Sequence, residues 1–164
     1  MSILTQTPDL VLRSLDAAWN RARWERLPSD GNRYEVIDGV LYITTAPSSF
    51  HQWVVRQIVF ALAQQIDQPQ VGVTRWAPIG LFMPGCDPVQ LDILVVHRQD
   101  LAIFRERRVF GIPALLVEVL SPSNPEQDTE VKLGAYASRR SRILDCTPSR
   151  ARCAGLYEAR DAYG

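Results

Sequence analysis

Two acids stand where acids are costly. Asp92 lies in the apolar run Leu91-Asp92-Ile93-Leu94-Val95-Val96, and Glu118 in Leu115-Leu116-Val117-Glu118-Val119-Leu120. Both runs read as buried strands, and a carboxylate inside such a strand needs a partner, a cation or a raised pKa. Either acid alone is better explained by an edge strand that turns it to solvent. Together they make a hard-oxygen pair suited to one divalent cation such as magnesium. An ion so held can orient a water, lower its pKa and offset charge on a phosphoryl group. Lys132 supplies a positive charge nearby. On the helix expected after Ser121-Pro122-Ser123-Asn124-Pro125, the residues Asp128, Lys132 and Tyr136 fall four apart and share one stripe. By itself Asp128 with Lys132 is a surface ion pair contributing roughly 0.3–0.5 kcal/mol. Beside two acids, Lys132 reads as a charge stabiliser.

Other polar residues carry less. Glu35 is either a further metal-side carboxylate or the outward residue of a hairpin. Gln90 is placed to orient a water, though an exposed glutamine explains it as well. His51 follows a cap and reads as a first-turn helix residue rather than a metal ligand. Arg105, Arg107 and Arg108 are interrupted by Glu106 and read as a solvated loop. No glycine-rich phosphate loop, nucleophile elbow or Cys-His pair occurs.

The elements that must position these residues are legible in part. Spacing of Leu12, Leu15, Ala18, Trp19 and Ala22 predicts an amphipathic helix over about 10–26, with Asp9 as its N-cap. Tyr34–Ile37, Asp38-Gly39 and Val40–Ile43 read as a hairpin on a type I′ turn. A serine-capped helix is expected from Phe50 to about Ile66, then strands over 71–76, 78–83, 91–96 and 115–120. The fold class expected is α/β or α+β, a mixed central sheet with helices on its faces.

With 164 residues, the chain is long enough for one domain with a proper core. Lys+Arg and Asp+Glu are both 18, so overall charge selects neither nucleic acid nor membrane. No apolar run resembles a signal peptide or a membrane span, and the expected location is the cytoplasm. The scattered Cys86, Cys146 and Cys153 suggest neither a disulfide framework nor a zinc site.

Taken together, YEVIDGVLY, APSSFHQ, LDILVV, LLVEVLSPS and the D-x-x-x-K-x-x-x-Y helix resemble a restriction-endonuclease family abundant in cyanobacteria, part of the PD-(D/E)XK nuclease superfamily. The resemblance spans about residues 24–137 and defines the expected domain, 1–137. It implies hydrolysis of DNA phosphodiester bonds with Mg²⁺, or Mn²⁺ in its place. Asp92 and Glu118 become metal ligands, Glu35 an additional acidic residue, and Lys132 the motif lysine relocated to the helix. Leu91 stands where the motif has proline, and Leu120 where it has lysine. A homodimer would suit an enzyme that cuts both strands. The alternative is a non-catalytic domain that binds nucleic acid or a partner, or an inactive product of a damaged gene.

That last alternative has a specific basis. Family members continue after the helix with a stretch such as GVPEYWIV, whereas this chain reads Arg139-Arg140-Ser141-Arg142-Ile143-Leu144-Asp145-Cys146-Thr147-Pro148. Permitted codons for those residues, read one nucleotide later, spell GVPEYWIVR. A frameshift near Ser138 is therefore expected, with loss of the last core strands and an aberrant, poorly ordered tail over 138–164.

Overall fold

The structure is a computed structural model that describes residues 11–105, 108–119, 142–147 and 152–158. In chain order the elements are β1 (Val11–Arg13), α1 (Arg21–Trp24), β2 (Arg33–Ile37), β3 (Val40–Thr44), α2 (Ser49–Leu62), β4 (Gly72–Trp76), β5 (Gly80–Phe82), β6 (Val89–Gln90), β7 (Ile93–His97), β8 (Phe104–Arg105), β9 (Arg108–Phe110), β10 (Leu115–Val119), β11 (Arg142–Thr147) and β12 (Arg152–Glu158). A π-type turn, Ala63–Asp67, extends α2, and a 3-10 helix, Arg98–Ile103, follows β7.

The strands form three sheets, ordered β1-β3-β2, β12-β11-β10-β7-β4 and β6-β5-β9-β8. Alternation in β7 and β10 builds the two sides of the five-stranded sheet. Ile93, Val117 and Val119 pack against Val54, Val55, Ile58, Val59 and Leu62 of α2. Leu94, Val96 and Leu116 face the other way and join Leu81, Met83, Val89, Leu91 and Val109. Both faces of β7 and β10 are therefore covered, which is why their sequences are nearly continuous apolar runs. Helices were expected on both faces. Among the described residues, α2 covers one and the small four-stranded sheet covers the other. The helix expected to carry Asp128, Lys132 and Tyr136 lies outside the described residues.

The hairpin forms as expected. Asp38 (φ 51) and Gly39 (φ 74) occupy its turn, the left-handed pair that a type I′ turn requires. Tyr34, Val36 and Leu41 of this hairpin enclose Trp24 in a second small core. Ser48 caps α2, its side chain accepting from the His51 N–H.

Two expectations are corrected. The first is the long N-terminal helix, which is replaced by β1 and a single turn, α1. Here the Asp16 N–H donates to Ser14 Oγ at 3.1 Å and the Ala18 N–H to Asp16 Oδ1 at 2.8 Å. Such local bonds compete with helix formation, while β1 pairs antiparallel with β3. The helical spacing was real, but Leu12 and Leu15 remain exposed.

The second correction concerns the sheet's C-terminal side, expected to lack its last strands. Instead β11 pairs parallel with β10, and β12 antiparallel with β11. An uncovered β10 edge presents unpaired N–H and C=O groups, and backbone pairing accepts residues that show no clear apolar period.

Gly39 tests the turn. A Cβ there would come within 2.6 Å of the Ala17 carbonyl oxygen, whereas at Gly31 (φ 90) it would meet nothing within 4 Å. Gly39→Ala should therefore lose about 2 kcal/mol or more in denaturant unfolding, combining positive-φ strain with a backbone clash. Gly31→Ala should show only the strain, about 1 kcal/mol.

Candidate active site

β7 and β10 run antiparallel with Leu116 opposite Leu94 and Val117 opposite Ile93. Glu118 stands one residue beyond Val117 and Asp92 directly precedes β7, so the two acids come to the same end of this strand pair. Both are buried, at 6% and 2% exposure. Like charges held close together are destabilising, and burial sharpens the repulsion.

Arg33 resolves this conflict. Its Nη2 donates to Asp92 Oδ1 at 3.0 Å and to Glu118 Oε2 at 3.1 Å. Its Nε donates to the Gln90 carbonyl at 2.7 Å, and Glu35 Oε1 lies 3.9 Å from the same nitrogen. Glu35, 4% exposed, also accepts from the Gln90 N–H at 3.3 Å. Arg33 and Glu35 are two apart on β2 and so share a face. The hairpin thereby delivers a cation and a third acid to the end of the central sheet.

Asp92 is held from several sides. Its Oδ2 accepts from the Val119 N–H at 2.7 Å, and the His51 Nε2 lies 3.1 Å from Oδ1. Burial pushes the Asp92 carboxyl up, but the Arg33 guanidinium, the His51 imidazole and the Val119 N–H together hold it well below the usual carboxylate range.

The structure brings Asp92 and Glu118 together and connects Glu35 to them through Arg33. Lys132 lies outside the described residues. His51 and Arg33 belong to the site although neither stood out as a site residue in the sequence. For His51 the available signal was its place directly after a serine cap in APSSFHQ, as one of only two histidines. For Arg33 it was the alternation of Arg33 and Glu35 with Tyr34 and Val36. Gln90 is half-buried, with its side-chain oxygen accepting from the Tyr34 N–H at 3.3 Å.

Above Asp92 opens a cleft of about 570 Å³. Its walls are Gln52, Val55, Arg56 and Val59 on α2 and Trp76-Ala77-Pro78 at the end of β4. Among the described residues no group of three or more His, Cys, Asp and Glu side chains is placed to hold a metal, and no helix is long and apolar enough to cross a membrane.

A helix-backed mixed sheet with paired acids at one end places the chain in the nuclease-like class of folds. Among solved structures it matches one titled a "putative nuclease belonging to DUF820", from Anabaena variabilis ATCC 29413, with a TM-score of 0.66. The two are 14% identical over 78% of this chain and 73% of that one. No curated protein matches. The family model described as "Uma2: Putative restriction endonuclease" matches residues 21–142. The chain belongs to the Uma2 family.

The charge arrangement makes a stability prediction. Arg33→Met leaves two buried acids without their guanidinium. It should lower the unfolding free energy at neutral pH by about 3 kcal/mol, the low end for a buried pair because the arginine keeps some solvent contact. Asp92 is depressed below its ordinary 3.8, so its contribution is present above that value and disappears as pH falls below it. The gap between wild type and Arg33→Met in denaturant unfolding should therefore narrow in acid below about pH 4.

Proposed function

We propose that the chain is a metal-dependent DNA endonuclease, with Asp92 and Glu118 as the metal-holding acids. The observation that carries this reading is that one nitrogen, Arg33 Nη2, donates to both carboxylates, at 3.0 and 3.1 Å. The acids thus converge on a single cationic position. Two carboxylates suit Mg²⁺ or Mn²⁺, since magnesium commonly takes one or two carboxylates and completes its shell with water and substrate phosphate. Such an ion, when bound, supplies Lewis acidity toward a phosphoryl oxygen and acidifies water.

The remaining work falls to the chain's own groups. The Val119 N–H fixes Asp92 through Oδ2 and so directs Oδ1 toward Arg33 and His51. Glu35 and Gln90 hold the Arg33 guanidinium from its Nε side. Hydrolysis adds water oxygen to phosphorus, breaks a phosphorus–oxygen ester bond and delivers a proton to the leaving oxygen. Negative charge grows on the phosphoryl oxygens as this happens, and Lys132 is the cation proposed to offset it. His51 orients Asp92 from the wall of the cleft.

A second reading is favoured by one observation. The family match stops at Arg142, close to the point where a shifted reading frame restores the family's continuation. Under that reading β11 and β12 are built from out-of-frame residues, and the site residues stand on an altered scaffold. Nucleotide sequencing of codons 137–148 from source DNA decides between them. A frame encoding GVPEYWIV would establish the shift, and the frame as written would exclude it.

If the endonuclease reading holds, the purified chain with Mg²⁺ or Mn²⁺ nicks or cuts DNA. Asp92→Ala and Glu118→Ala should each reduce that rate by at least about 100-fold. Mg²⁺ should raise the melting temperature of the wild type and leave both variants unmoved, since a ligand that binds only the folded state stabilises it. Cutting that survives both substitutions would sink the assignment.

A further inference from the structure

The cleft above Asp92 has walls that the hydrolytic chemistry does not use. Trp76 ends β4 with its side chain on the cleft, and it is 54% exposed. The indole gives the cleft a large apolar face beside a buried polar site. On the same cleft α2 presents Arg56, whose guanidinium among the described residues donates only to its neighbour Gln57, at a weak 3.4 Å. Thr44, the last residue of β3, and Thr45 add hydroxyls to the lining.

Size and depth narrow the occupant. At about 570 Å³ the cleft falls within the roughly 300–1,000 Å³ of small-ligand sites. That is far too small for a double helix. Asp92 at its base is 2% exposed, so a phosphate must be carried down to it. A duplex is stiff over about 150 base pairs and presents its bases already stacked. A single strand bends into a cleft, and each unstacked base has a face to offer an aromatic ring.

The geometry points to the cleft as a subsite for an unpaired nucleotide: a single DNA strand whose base stacks on Trp76 while its phosphate meets Arg56. This assignment rests on the nuclease reading and refines it, making the preferred substrate single-stranded or locally unpaired DNA. Its recognition chemistry is a π face on one wall and a guanidinium on the other. That combination suits many sequences, because every base stacks and every nucleotide carries a phosphate.

The test separates binding from cutting. A labelled oligonucleotide, alone and annealed to its complement, is titrated by anisotropy with the full chain in EDTA at several salt concentrations. The single strand should bind at least about tenfold more tightly than the duplex. Trp76→Ala should weaken single-strand binding about tenfold or more, and Trp76→Phe should restore most of it. Arg56→Gln should reduce the salt dependence by about 0.7 in the log–log slope, one phosphate's worth. Melting temperatures of the exposed-site variants serve as the folding control. Equal or tighter duplex binding, or a Trp76→Ala chain that folds and binds the strand normally, overturns the subsite. Gel analysis of the same oligonucleotides with Mg²⁺ addresses the chemistry separately. Binding as expected with no cleavage would support the cleft and overturn the hydrolytic reading.

Discussion

The structure turns on one electrostatic constraint. Asp92, just before β7, and Glu118, in β10, are both buried and share one arginine nitrogen, and the fold cannot hold them without positive charge between them. Arg33 provides it, and the geometry of a guanidinium matters here. Nη2 serves the two acids while Nε turns back to the Gln90 carbonyl. A lysine ammonium, as a point charge on a flexible stem, would not hold both contacts in one fixed plane. Stability and proposed chemistry thus meet at the same atoms.

Much of the fold can be read as the means of delivering these groups. The Asp38-Gly39 turn sets the hairpin register, and that register puts Arg33 and Glu35 on one face of β2. The backbone bond from the Val36 N–H to the Pro88 carbonyl ties the hairpin to the segment entering β6. Ser48 fixes where α2 begins and so brings His51 to Asp92. Beyond its first turn, α2 is an apolar lid on Ile93, Val117 and Val119. The same helix therefore seals one side of the core and forms one wall of the cleft.

Strands and turns were the legible part of this fold. The runs at 91–96 and 115–120 had to be covered on both faces, and the hairpin declared itself through Asp-Gly between β-rich flanks. The failure at 10–26 is instructive. Leu12, Leu15 and Ala22 recur at helical spacing, yet local Ser14 and Asp16 bonds and the open edge of β3 offered the backbone a better arrangement. The strands at 142–147 and 152–158 were illegible for a related reason. A sheet edge recruits backbone, and backbone hydrogen bonding leaves little trace in side-chain pattern.

By itself, then, the sequence determined that two carboxylates lie in apolar runs, because an isolated charge in such a run is visible at the level of composition and period. It also determined the hairpin and the start of α2, whose turn and cap residues act over only a few positions. Tertiary structure alone decided that the two acids sit side by side, that Arg33 is their counter-ion from 59 and 85 residues away, and that His51 reaches Asp92 across 41. These are pairings between distant segments, set by sheet register and by the seating of a helix on a core. No local periodicity encodes them.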